Sequence, residues 1–336
     1  MMRMPMIKHV SSARLLALGV VGAFLFQTPF TPAHLAQDEP QETDKVLKIT
    51  SGLVNLYAVV REKNRPVAGL TREDFDLKED GRQQEIKFFS RETNTPLTLG
   101  ILIDTSGSQV NVLGAEQREA KTFINEVIGA NDLAFVLRFD TEVELLQDLT
   151  ANKRLLARAI DLTEVNQGAG GVVQGPFPTS GGGGTNLHDA VYLSARELLR
   201  NEVGRKVIII LSDGEDTGSS KKQREALEAA QRSDVIIYSI AVIDREFYHR
   251  RASSFSGDAV LNQYAKETGG RVIQVSRMED TAQAFREIAE ELRTQYSLGY
   301  TSTNTQKDGT FRKIQIKIRS KDYKVLARRG YYAPTE

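Results

Sequence analysis

At 336 residues with 40% apolar side chains, the chain is long enough for one medium domain plus smaller modules, about two domains in all. Its 44 Lys and Arg balance its 44 Asp and Glu, which argues against a generally basic nucleic-acid binder. Having no cysteine, it can form neither a disulfide nor a thiolate metal site, and thiol catalysis is excluded.

The chain opens with Arg3, Lys8 and Arg14, then an apolar run from Leu15 to Phe26, then Pro, Thr and Ala residues. Charged, apolar and small-residue segments in that order read as a secretory signal peptide over residues 1–36, cleaved near Ala33 or Ala36. The apolar run is short for a membrane span, although an uncleaved anchor is the alternative. No later stretch is long and apolar enough to cross a bilayer, so the mature chain is expected to be secreted or periplasmic. Without a cysteine it carries no lipid-anchoring motif of the lipoprotein kind.

A polar linker, Gln37 to Thr43, leads into a small β-rich module over residues 44–92. The run from Leu53 to Val60 suits a core strand, and Arg61 to Val67 reads as a turn and return. Thr71 stands as a cap before the acidic turn Arg72-Glu73-Asp74. Asp80-Gly81 is a hairpin signal, followed by a strand from Gln84 to Phe89. Calcium ligation by this acidic cluster is disfavoured, since the EF-hand spacing is absent.

The central stretch, residues 96–296, alternates strand and helix patterns, which implies right-handed crossovers and a doubly wound, mostly parallel sheet. Its first strand, Leu97 to Ile103, is apolar throughout, as in a strand buried on both faces. The strand ends in Asp104-Thr105-Ser106-Gly107-Ser108, placing a carboxylate and two hydroxyls at the sheet edge where open α/β folds keep their ligands. One carboxylate among neutral hydroxyls suits a small hard cation such as Mg2+. Helices are expected over Ala115–Ile128, Lys153–Ile160, Leu187–Leu199, Lys221–Arg232, Leu261–Thr268 and Thr281–Thr294. Strands are expected over Leu133–Phe139, Val207–Leu211, Val235–Ile243 and Arg271–Val275. The glycine-rich insertion between Asp161 and Gly184 is longer than an ordinary connection, and no Gly-Lys-Ser/Thr follows it, which disfavours a phosphate loop. The glycine run Gly181 to Gly184 delivers a hydroxyl, Thr185, just before a helix, and the strand Val207 to Leu211 ends in Ser212-Asp213-Gly214.

The tail, residues 297–336, returns to β patterns. Phe311 to Arg319 alternates strictly, with Lys313, Lys317 and Arg319 outward, which reads as protection of an edge strand. Lys324 to Ala327 and the closing Arg328-Arg329-Gly330-Tyr331-Tyr332 are expected to add another strand.

Asp104-x-Ser106-x-Ser108, Thr185 and Ser212-Asp213-Gly214 together resemble the metal-ion-dependent adhesion site of a von Willebrand factor type A domain. The flanking β segments are similar to those of a group of exported bacterial proteins related to that family, in which the N-terminal one is immunoglobulin-like or transthyretin-like. The resemblance implies a Rossmann-like α/β domain between small N- and C-terminal β modules. It also implies that Ser106, Ser108 and Thr185 contact the cation while Asp104 and Asp213 act directly or through water. The cation would be Mg2+, with Mn2+ or Ca2+ as alternatives, and a partner protein would supply a Glu or Asp to its open position. The alternative is a structural or assembly scaffold with a non-functional metal site. Integrin-type domains add a second cation site soon after the first motif; here Gln109-Val110-Asn111 follow, which do not support one. Catalysis is not expected: Ser106 lacks the Gly-x-Ser-x-Gly elbow, and His188 is expected on a helix surface. Glu215 and Asp216 read as loop carboxylates or as residues orienting the site.

Overall fold

The computed structural model describes residues 52–63, 65–91, 95–166, 184–242, 257–275, 277–319 and 322–335. The signal segment, the linker, most of the glycine-rich insertion, Gly181 to Gly183 and His249 lie outside the described residues.

Among the described residues, five strands precede the central domain: β1 (Leu53–Glu62), β2 (Arg65–Pro66), β3 (Phe75–Glu79), β4 (Arg82–Gln83) and β5 (Ile86–Arg91). The Asp80-Gly81 turn joins β3 to β4 with φ of 48° and 79°, the left-handed pair that such a two-residue hairpin demands. At Thr71, the backbone N–H and the hydroxyl both donate to Asp74 Oδ2, at 2.8 and 3.1 Å, closing the short turn before β3.

The central domain carries β6 (Leu97–Asp104), β7 (Leu133–Phe139), β8 (Val143–Thr150), β9 (Arg205–Leu211), β10 (Val235–Val242) and β11 (Val272–Val275). Its helices are α1 (Leu113–Val127), α2 (Lys153–Asp161), α3 (Leu187–Leu193), α4 (Gln223–Arg232), α5 (Gly257–Thr268) and α6 (Thr281–Arg293). The sheet runs in the order β11-β10-β9-β6-β7-β8, parallel except for β8. Chain order reverses at β6, which lies between β7 and β9. The sheet separates two apolar cores. Leu97, Leu99, Ile101 and Ile103 of β6 pack with α1, α2 and α6, while Leu102, Phe135, Ile208 and Ile210 pack with α3, α4 and α5. Helix α3 ends in a π-helical turn, Ser194–Leu198, rather than running on to Leu199 as α-helix. Strand β8 is absent from the sequence-based expectation. It is an edge strand, half exposed and irregular in register, so it carries no clean period.

Gly100 in β6 is required by a close approach. A Cβ there would lie 2.3 Å from Cζ of Phe135, its register partner in β7. We expect Gly100→Ala to destabilise the protein by about 1–3 kcal/mol through overpacking. Urea melts should show Phe135→Leu recovering part of that loss; strict additivity of the two changes would reject the contact as the cause.

Among the described residues, four strands follow α6: β12 (Tyr296–Thr301), β13 (Phe311–Ile318), β14 (Lys324–Ala327) and β15 (Gly330–Tyr332). Both flanking β segments are present, and they pair with each other. One sheet runs β14-β1-β12-β5 with β2 attached to β1, and a second runs β15-β13-β3-β4. Alternate residues of β1 (Val54, Leu56, Ala58, Val60) share a core with Phe75, Leu77, Tyr296, Leu298 and Ile314. The central domain is tied to these sheets by a buried ion cluster. Arg61 of β1 pairs with Glu291 of α6, and Arg271 reaches Glu291 and Glu287, each at 2.6 Å.

Candidate metal centre

The candidate centre sits at the carboxyl ends of β6 and β9, beside the point where strand order reverses. Pairing of Ile103 with Leu211 brings Asp104 level with Ser212. Asp104 is fully buried; its Oδ1 accepts from the Ser106 N–H at 2.9 Å and its Oδ2 from the Ser212 hydroxyl at 2.6 Å. A 3₁₀ turn over Gly107–Gln109 folds the hydroxyls of Ser106 and Ser108 together, 3.1 Å apart. Gln109 Nε2 then donates to both Ser108 Oγ and Asp213 Oδ2, each at 3.1 Å. Asp104, Ser106, Ser108 and Asp213 thus belong to one local set of hydrogen-bonded groups, with Ser212 and Gln109 completing it.

Thr185 is brought up by main chain. Its carbonyl accepts from the N–H groups of Thr217 and Gly218, and its own N–H donates to Thr217 Oγ1 at 3.1 Å. The segment after Asp213 is stapled to the first turn of α3. Asp216 Oδ1 accepts from the His188 N–H, and the Asp189 carboxylate accepts from the N–H groups of Ser220 and Lys221. A carboxylate on free N–H groups at a helix start is a stabilising arrangement. Asp216 is therefore a cap that fixes the Thr185 loop, and Glu215 touches the centre through its N–H, which donates to Asp213 Oδ1. Gly214 has φ +88°, and a Cβ there would meet the Gly257 carbonyl at 2.5 Å, so this turn is open to glycine alone.

His188 is not on the helix surface as expected. Its side chain is 12% exposed, with Nδ1 3.0 Å from the Tyr264 hydroxyl and Nε2 3.9 Å from Asp216.

Three residues escape a reading of the sequence. Gln109 follows the serine motif without resembling a ligand. Asp140, after β7, gathers the neighbouring loops: it accepts from the Thr105 hydroxyl at 2.7 Å and from Thr141, Glu142 N–H and Asn166. Burial opposes its ionisation, but these hydrogen bonds outweigh burial and hold it below the usual carboxylate range. Glu116, in the first turn of α1, is fully buried, and neither carboxyl oxygen has a hydrogen-bond partner. Burial, then Asp104 and Asp213, push Glu116 up to about 8. Burial, then Asp213, likewise push Asp104 up to about 7, against the hydrogen bonds from Ser106 and Ser212.

The family model of the von Willebrand factor type A domain matches residues 99–288, more than half of the chain. The chain belongs to the von Willebrand factor type A family. The type A match runs from β6 through most of α6 and so contains the whole candidate centre. No curated protein matches the sequence. Among solved structures, BatB from Bacteroides thetaiotaomicron is 17% identical with a TM-score of 0.44, over 59% of this chain and 100% of that one. A von Willebrand factor type A protein from Catenulispora acidiphila is 12% identical with a TM-score of 0.48, over 86% and 76%. Proximal thread matrix protein 1 from the mussel byssus, with a zinc-occupied MIDAS motif, is 15% identical with a TM-score of 0.48. That alignment covers 64% of this chain and 49% of the mussel protein.

Proposed function

We propose that this type A protein is an exported, non-enzymatic binding protein. It would engage a protein or other acidic partner through a divalent cation held by Asp104, Ser106, Ser108, Thr185 and Asp213. The observation that carries this reading is the hydrogen-bonded set at the sheet edge, in which two buried carboxyls, Asp104 and Asp213, stand beside the hydroxyl pair of Ser106 and Ser108. Asp104 accepts from the Ser106 N–H and the Ser212 hydroxyl, and Glu116 has no hydrogen-bond partner. Burial disfavours ionisation of Asp104 and Glu116, and a hard cation bound beside them would favour their charged, ligating forms. Hard oxygen donors of this kind fit Mg2+, with Mn2+ or Ca2+ as alternatives. When bound, such an ion supplies an electrophilic position for an anionic oxygen, here a Glu or Asp of the partner. Ser212 and the Ser106 N–H hold the Asp104 carboxylate in one orientation. The Thr217 and Asp216 contacts fix the loop bearing Thr185.

The test is thermal melting of the full chain in chelator and then in Mg2+, Mn2+ or Ca2+, beside Asp213→Ala. A cation at a hundred times its dissociation constant should stabilise the protein by about 2.7 kcal/mol, and the variant should lose that gain. No shift with any of the three cations would reject the reading. A second reading, a scaffold with a non-functional metal site, is favoured by one contact. The Gln109 amide already satisfies Asp213 and Ser108 without a metal.

A further inference from the structure

A second polar feature lies well away from the centre in the chain, where the paired β segments meet the central domain. The end of α5, the start of β11, β1 and β14 enclose a cleft of about 460 Å3. Among the described residues, six cationic ones line it, Arg61, Lys63, Lys266, Arg271, Lys324 and Arg329, and no acidic one does. Arg61 and Arg271 are neutralised by Glu291 and Glu287. Lys63, Lys266, Lys324 and Arg329 are exposed, and among the described residues no carboxylate lies within ion-pair distance of them. Glu62, Glu267 and Asp322 neighbour them in sequence without lining the cleft.

Protection of a sheet edge accounts for Lys324, which sits on the edge strand β14. It does not account for Lys63 in a turn, Lys266 on a helix or Arg329 beyond the strand. Charges of one sign gathered in a cleft repel each other and focus the potential on whatever enters. The arrangement mixes compact ammonium groups with a guanidinium fork suited to planar pairs of oxygens. Its size is that of a small-molecule site.

We propose that this cleft binds a polyvalent oxyanion, a ligand bearing clustered phosphate or sulfate groups, held by Lys63, Lys266, Lys324 and Arg329. The test is calorimetric titration of the full chain with sodium tripolyphosphate in metal-free buffer, because tripolyphosphate itself chelates divalent cations. One binding site is expected, with affinity falling as salt rises. The double charge reversal Lys266→Glu/Lys324→Glu should weaken binding at least tenfold, whereas Asp213→Asn should leave it unchanged. Both reversed positions are exposed, and a melting curve matching wild type will establish that the variant is folded. Flotation with phosphatidylglycerol vesicles, with and without tripolyphosphate, separates the sources of the anion. Vesicle binding competed by tripolyphosphate assigns the site to a lipid headgroup; tripolyphosphate binding without vesicle binding assigns it to a soluble ligand. Absence of tripolyphosphate binding, or binding indifferent to the charge reversal, overturns the proposal.

Discussion

Glu116→Gln is expected to raise the melting temperature of the metal-free protein near pH 7.5. Glu116 is raised from an ordinary value of 4.5 to about 8. Folding at pH 7.5 therefore requires the carboxyl to hold a proton about three pH units above its unfolded pKa, a cost of about 4 kcal/mol. A buried glutamine amide leaves its own polar atoms short of partners, which returns about 1–3 kcal/mol of that gain. The net stabilisation is thus about 1–3 kcal/mol. The pH dependence has a definite sign. Glu116 and Asp104 bind protons more tightly in the folded state, so metal-free stability falls as pH rises towards 7–8 and levels off above. Asp140, whose pKa is depressed, contributes stability that is lost only in acid, as pH falls through its folded value. His188, lowered first by burial, costs stability as pH falls below its ordinary 6.5. Melting curves between pH 6.5 and 8 therefore isolate the buried acids, and Glu116→Gln should flatten the slope. Saturating Mg2+ should narrow the gap between wild type and variant. A variant that melts below wild type in chelator at pH 7.5 would show that Glu116 is compensated by something else.

Glu291→Leu is expected to cost about 3–5 kcal/mol, the usual penalty for breaking a buried ion pair from one side. Glu291 has no exposed side-chain surface, and Arg61 opposite it is 6% exposed. Without Glu291, the Arg61 guanidinium loses this buried counter-charge while Arg271 keeps Glu287. Burial, and then Arg271, already lower the Arg61 pKa. Replacing the pair together, Arg61→Met with Glu291→Leu, should recover most of the loss, since an apolar pair of similar volume carries no desolvation cost. Chemical denaturation of the single and double variants measures both. A loss below about 1 kcal/mol for Glu291→Leu would mean that water reaches the pair.

What could be read from the sequence divides along sequence distance. Asp104, Ser106 and Ser108 announce themselves because two-residue spacing after an apolar strand is a local pattern, and the structure gathers them as that pattern implies. Strands β6, β7, β9 and β10 are legible because they are buried on both faces and keep continuous apolar runs. Strand β8 is not, since an irregular edge strand lacks a buried face to impose a period. Glu116 is hidden for another reason. An acidic residue in the first turn of a helix reads as a favourable partner for the helix dipole. Only the packing of α1 beneath the centre shows that its carboxyl is turned away from water. The Gln109 bridge and the stapling of residues 216–221 onto α3 join segments that no local pattern relates.

Strand β1 pairs Leu53 with Thr301 and Ala58 with Tyr296, and β12 lies between it and β5. A chain emerging from its N-terminus therefore exposes β1 and β5 long before their common neighbour exists. The central domain, built from nearer contacts, can close first, while the amino-terminal strands wait with open edges until β12 and β13 are made. A stop or a cut shortly after α6 would strand them permanently. Such a truncated chain should keep its parallel sheet yet associate through unpaired strands. The two outer sheets are therefore each built from strands on both sides of the central domain, and neither can be completed by one side alone.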